Sequence, residues 1–324
     1  MTDPTGIRAE SYLSPETLSQ LAPFELRARM IVEGVRSGFH ASPQQGLSVQ
    51  FKQHRPYTAG DDVKHLDWKV YARTDRLSVK QYEQETNLDI TILVDCSASM
   101  RYGSMGVKTG WGGTRASRAT STWTKFDHAT ATATAVAWMC LQQSDRVGLS
   151  LFSNGINQTI GRTSSTGHWR RIVSILSSEP VDDSTDFERT TEQVLSNITN
   201  RSLFVVISDL LHDPTSIRSA MARFRHKNHD VLCLQILDHQ EIEFDLRDPS
   251  LFIDMESDDR IRVDPPAIRD AYIEAMESHQ DELQSMLNGF GFDHYLLDTH
   301  LPVGPALARV AARRSSWLKS HHAR

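Results

Sequence analysis

Apolar and polar positions along this chain follow two periods, and the switches between them lay out a fold. From about residue 88 onward, short aliphatic runs alternate with longer stretches whose apolar residues recur every three to four positions. The runs Asp89 to Val94, Arg146 to Ser153, Ser202 to Ser208, Val231 to Leu237 and Phe292 to Asp298 read as strands, with Ile156 to Ile160 as an edge strand. Phe126, Ala129, Ala133, Val136, Ala137, Cys140 and Leu141 mark a helix whose alanines permit close packing on a sheet. Further helices are expected over Trp169 to Leu176, from Phe187 with Val194, Leu195 and Ile198, and from Asp213-Pro214 with Ile217, Met221 and Phe224 inward. A polar hairpin-like insert (Glu241 to Val263) precedes a long helix carrying Ile268, Tyr272, Ala275, Met276, Leu283, Met286 and Leu287, which Asn288-Gly289 closes. Pro302 to Arg313 is the last helix. This alternation over 86–313 predicts an α/β domain: a doubly wound, mostly parallel sheet with helices on both faces.

Residues 1–85 follow another pattern and are expected to form a smaller α+β module. Helices are expected from Ser14-Pro15 and over Phe24 to Glu33, with Gly34 ending the second. Short extended segments follow at Leu47 to Phe51, Arg55 to Tyr57 and Leu77 to Tyr82. Gly60-Asp61-Asp62 reads as a turn able to cap the short helix after it, with Arg55 and Arg73 as charge partners, rather than as a catalytic carboxylate pair. Residues 314–324 form a basic tail, expected to be a solvated end.

Composition narrows the class. With 324 residues the chain can bury a large core, and a net charge of −6 gives no electrostatic case for nucleic acid. Three widely spaced cysteines without a Cys-x-x-Cys pair suit a reduced compartment. No apolar run reaches a membrane span and no leader-like N-terminus is visible, so a cytoplasmic protein without a transmembrane segment is expected.

Candidate chemistry lies where the strands end. The run Asp89 to Val94 stops at Asp95-Cys96-Ser97-Ala98-Ser99, so a buried strand delivers one carboxylate and two hydroxyls to the sheet edge where open α/β sheets bind ligands. Hard oxygen donors with no softer donor beside them suit Mg2+ or Mn2+ better than zinc. A second buried-type strand ends in Ser208-Asp209 at the same edge. Thr185 admits two readings: a hydroxyl ligand from the loop before a helix, or the first residue of a Thr185-x-x-Glu188 capping box. Residues 101–124, rich in Gly, Ser, Thr and Arg, read as a long mobile loop at this edge, and Gly106-Val107-Lys108-Thr109 lacks the spacing of a phosphate loop.

Taken together, Asp95-x-Ser97-x-Ser99, Thr185 and Ser208-Asp209 resemble the metal-ion-dependent adhesion site of von Willebrand factor type A domains. More narrowly, the chain is similar to the bacterial family called domain of unknown function 58. The matching segments are Arg55-x-Tyr57-x-x-Gly60-Asp61-Asp62, Asp67-Trp68, Ala72-Arg73, Lys80-x-x-Glu83-x-Glu85, Lys125-x-Asp127-x-Ala129 and Asp145 to Leu149. The resemblance implies a metal-dependent binding or adaptor module that is not an enzyme, acting with a MoxR-type AAA+ ATPase or its client. It implies Ser97, Ser99 and Thr185 as direct ligands of Mg2+ or Mn2+, Asp95 and Asp209 holding the hydrated side, and a partner carboxylate completing the shell. Asp183-Ser184 stands where that superfamily often has glycines. The alternative is a metal-dependent phosphoryl-transfer hydrolase with Asp95 as nucleophile. Such a site wants a second carboxylate two residues on, where this chain has Ser97.

Overall fold

A computed structural model describes residues 49–58, 66–84, 88–106, 121–142, 144–165, 167–178, 183–196, 198–253, 255, 260–301, 303 and 307. The chain divides into two compact units, one within Val32–Asn87 and one that contains Leu88–Arg324. In the first, β1 (Val49–Pro56) pairs antiparallel with β2 (Ser78–Gln84), and α1 (Trp68–Thr74) lies between them in sequence. The two short segments expected at 47–51 and 55–57 are one strand interrupted between Phe51 and Gln53, where an irregular register restarts the ladder. Asp67 caps α1, accepting from the Lys69 and Val70 amides at 2.9 and 3.3 Å. The cap is therefore not drawn from Gly60-Asp61-Asp62, which itself lies outside the described residues.

In the second unit a six-stranded sheet forms from β3 (Asp89–Asp95), β6 (Arg146–Ser153), β7 (Gly155–Thr163), β8 (Leu203–Ser208), β9 (Asp230–Leu237) and β12 (Asp293–Asp298). Its order is β12-β9-β8-β3-β6-β7, parallel except for the β6–β7 hairpin at one edge. The chain leaves β3 toward β6 on one side and later returns to β8 on the other. The gap between the C-terminal ends of β3 and β8 is thus the switch point where such sheets leave a crevice.

Two apolar layers sandwich the sheet. Ile90, Ile92, Val94, Val205 and Ile207 pack with α2 (Lys125–Gln142) and α3 (His168–Ser178). The alternate positions Leu93, Phe204 and Val206 pack with α4 (Phe187–Ser196), α5 (Pro214–His226) and α7 (Pro265–Phe290). Both faces of β3 and β8 are buried, which is why these strands read as unbroken aliphatic runs.

Three expectations are corrected. The insert after β9 begins as a short helix, α6 (His239–Glu243), because Asp238 and Glu241 form a reciprocal capping box; only then come β10 (Ser250–Ile253) and β11 (Arg260–Val263) as a hairpin. Helix α7 runs past Asn288-Gly289 to Phe290, because the residue that adopts the left-handed conformation and caps it is Gly291, at φ 76°. The expected loop 101–124 is not structureless at its ends: Ala98–Arg101 is a 3₁₀ turn, and β4 (Met105–Gly106) pairs antiparallel with β5 (Thr122–Trp123). Residues 107–120 lie outside the described residues. So do the expected N-terminal helices, the basic tail and most of the last expected helix, of which Val303 and Leu307 are described as helical and buried.

Candidate metal centre

At the end of β3 the Cys96 amide still donates to Phe152 O of β6 at 2.8 Å, holding the chain against the sheet as it turns. Asp95 is fully buried there, and its Oδ1 accepts from the Ser97 amide at 2.9 Å, a tight Asx-type turn that aims the carboxylate along the strand end. The turn continues into the 3₁₀ segment, with the Ser97 and Ser99 hydroxyls 3.1 Å apart. The Ala98 amide donates to Asp183 O at 3.0 Å, which fastens the loop before α4 to this turn.

That fastening brings Thr185 to the cluster, where its hydroxyl lies 3.4 Å from Asp95 Oδ1. The capping-box reading of Thr185 is overturned by one residue of frame. Asp186 caps α4 instead, its Oδ1 accepting from the Arg189 amide at 2.9 Å, and this leaves the Thr185 hydroxyl to face the carboxylate.

From β8, Ser208 Oγ donates to Asp95 Oδ2 at 2.6 Å, and Asp209, fully buried, accepts from Ser99 Oγ through Oδ2 at 2.8 Å. Asp95, Ser97, Ser99, Thr185 and Asp209, drawn from three separate loops, therefore meet at the crevice between β3 and β8. The two carboxylates form its buried floor. Ser99 and Thr185 are half-exposed at its rim.

Four further residues complete the cluster and were not singled out from sequence for this role. Ser208 positions Asp95, as above. Lys125, the first residue of α2, is fully buried; its Nζ donates to Asp209 Oδ2 at 2.9 Å and to Glu241 Oε1 at 2.8 Å. Burial works against the charge on Lys125, but Asp209 and Glu241 outweigh it and hold its pKa above the ordinary lysine value. Burial likewise opposes ionisation of Asp209, yet Lys125, His212 and the hydrogen bonds from Lys125 and Ser99 carry its pKa below the usual carboxylate value. For Glu241 burial prevails over Lys125 and the pKa is raised. The fourth residue is His212, whose Nε2 stands 3.8 Å from Asp95 Oδ2 and 4.0 Å from Asp209 Oδ1. The only sequence signal for Lys125 was its place in Lys-x-Asp-x-Ala; for His212 there was none.

The donor set fits a divalent cation. Hydroxyl and carboxylate oxygens dominate, and single ligand atoms from Asp95, Asp209 and His212 all lie within 4.8 Å of one another. With every acid ionised and Lys125 charged, three carboxylates and one ammonium leave two negative charges, the complement of one dication.

The family model described as protein of unknown function DUF58 matches residues 53–282, and the chain belongs to that family. Over 314 residues it is 26% identical to the uncharacterized protein Rv1480 of Mycobacterium tuberculosis, spanning 95% of this chain and 93% of that one. Among solved structures, the conserved hypothetical protein BatB from Bacteroides thetaiotaomicron aligns with a TM-score of 0.42 and 13% identity, over 71% of this chain and 99% of its own. A von Willebrand factor type A structure from Catenulispora acidiphila aligns with a TM-score of 0.36 and 11% identity, over 74% and 43%. Among the described residues, no helix is long and apolar enough to cross a membrane.

Proposed function

We propose that this chain is a binding module whose Asp95, Ser97, Ser99, Thr185 and Asp209 hold a divalent cation, Mg2+ or Mn2+, and offer it to an acidic side chain of a protein partner. The observation that carries this reading is the meeting of those five side chains at the sheet's switch point. A bound cation supplies a positive point that a carboxylate can reach from outside. The hydroxyls of Ser97, Ser99 and Thr185 act as its neutral donors. Asp95 and Asp209 supply the charge, Ser208 orients the first, and Lys125 orients the second. Keeping the anions on the floor and two of the neutral donors, Ser99 and Thr185, at the rim suits a site that receives an anion from solvent. The family resemblance supplies the partner class, an AAA+ ATPase of MoxR type or its client; the cytoplasmic setting is the one expected from the widely spaced cysteines.

The hydrolase alternative gains little from the same geometry. Asp95 is fully buried with both oxygens already accepting hydrogen bonds, and Ser97 occupies the position where a phosphoryl-transfer site wants an acid.

Calorimetric titration of Mg2+ and Mn2+ into the purified protein is expected to show binding that Ser97→Ala weakens at least tenfold. Capture from native lysate is expected to retain an AAA+ ATPase in the presence of the cation and lose it with chelator. A partner retained equally with chelator and by Ser97→Ala would refute the cation-bridge reading.

A further inference from the structure

We propose that His212 is a nitrogen donor to this cation site, so that the site selects a dication that accepts imidazole, Mn2+ or Zn2+, over Mg2+. This rests on the reading that the cluster holds a cation, and it adds the class of ion.

Backbone geometry brings the ring in. Three residues after the end of β8 the chain would ordinarily have moved off the sheet edge, but Leu210 adopts the left-handed conformation at φ 52°, and its amide donates to Ser208 Oγ at 3.1 Å. The chain folds back, and the His212 side chain, 17% exposed, sits over the two carboxylates.

The spacing has a specific meaning. Nε2 is 3.8 Å from Asp95 Oδ2 and 4.0 Å from Asp209 Oδ1, too long for hydrogen bonds to either oxygen. Two ligands of one ion with bonds of about 2.1 Å stand about 3 to 4.2 Å apart, from adjacent to opposite positions. Both distances fall in that range. The Asp209 oxygen on this side is also the one not engaged by Lys125 and Ser99, which both bond Oδ2. Oδ2 of Asp209 is thus held by two side chains, while Oδ1, which accepts a long bond from the Leu211 amide at 3.4 Å, is the oxygen nearer the imidazole.

A nitrogen donor changes the choice of ion. Mg2+ keeps to oxygen and gives up water reluctantly, whereas Zn2+ takes imidazole readily and Mn2+ tolerates it beside carboxylates. The competing role for His212 is that of a protonated charge partner for the two acids. In that case a bound ion would carry no imidazole.

Electron spin-echo measurements on the full chain loaded with Mn2+ distinguish these roles. Hyperfine coupling to 14N is expected, replaced by 15N coupling when the histidine rings are 15N-labelled, and lost in His212→Gln. In calorimetry the wild type is expected to bind Mn2+ and Zn2+ at least tenfold more tightly than Mg2+, with His212→Gln reducing that margin at least tenfold. Bound Mn2+ without nitrogen coupling, or coupling that survives His212→Gln, overturns the role of His212 and leaves the cation-bridge reading standing. No Mn2+ binding at all overturns both. If His212→Gln fails to fold, His212→Asn serves in its place: loss of the 14N coupling supports the role of His212 and its survival overturns it.

Discussion

Lys125 has no water-facing side: its ammonium is spent on Asp209, just after β8, and Glu241, in α6. Removing one partner of such a buried group leaves charge without compensation, which costs about 3 to 5 kcal/mol, whereas neutralising all partners together is far milder. Lys125→Met is therefore expected to lower unfolding stability in urea by about that amount, and Asp209→Asn with Glu241→Gln in the same chain to restore most of it. A Lys125→Met protein as stable as wild type would show that the pair does not hold the cluster. The residue also shows where sequence reasoning stops. Asp95 and Asp209 were legible because a parallel strand buried on both faces must be apolar until it ends, so the first acid after it marks the rim. A lysine opening a helix reads as solvated, and its burial follows only from where two distant acids fall in three dimensions. His212 was invisible for a similar reason: nothing in the order of residues announces that Leu210 turns left-handed.

At the scale of the element, the start of α4 decides whether Thr185 is free. Sequence alone offered Thr185-x-x-Glu188 as a cap, and the frame that forms uses Asp186, because the loop's tie from Ala98 to Asp183 O sets where the helix can begin. Tertiary anchoring settled between two locally reasonable caps. Asp186→Ala is then expected to cost about 1 kcal/mol in thermal or urea unfolding. Thr185→Val should change stability by under about 0.5 kcal/mol while weakening Mn2+ binding. The opposite ranking would restore the capping-box frame. The same competition explains the shifted end of α7. Gly289 and Gly291 are equally good stop signals on paper, and only Gly291 stands where the chain must turn into β12.

For the molecule as a whole, the layered sandwich was legible from periodicity, while short pairings such as β4 with β5 were not, since two residues carry no period. The depth of the layer over α2 has a measurable consequence. His128 is buried in it, accepts at Nδ1 from Trp123 Nε1 at 3.5 Å, and is pushed by burial down to about 4. It is neutral in the folded protein, while an unfolded chain takes up a proton near pH 6.5. Stability is thus intact above about pH 6.5 and falls by about 1.4 kcal/mol per pH unit on acidification toward pH 4 from this group alone. Burial lowers His168 and His229 as well, with the same sign. Urea unfolding at pH 7, 6 and 5 is expected to show the decline, with a shallower slope for His128→Gln. Finally, the small ladder in which Met105 faces Trp123 and Gly106 faces Thr122 closes the foot of residues 107–120. Below it, Ser104 is bound to Asp238 and the Lys125 amide to Tyr102 O. A segment that departs and returns side by side can be replaced or lengthened for about 0.6 kcal/mol per doubling, leaving its footing undisturbed. The position is thus a natural socket, where foreign peptides can be grafted above the ladder.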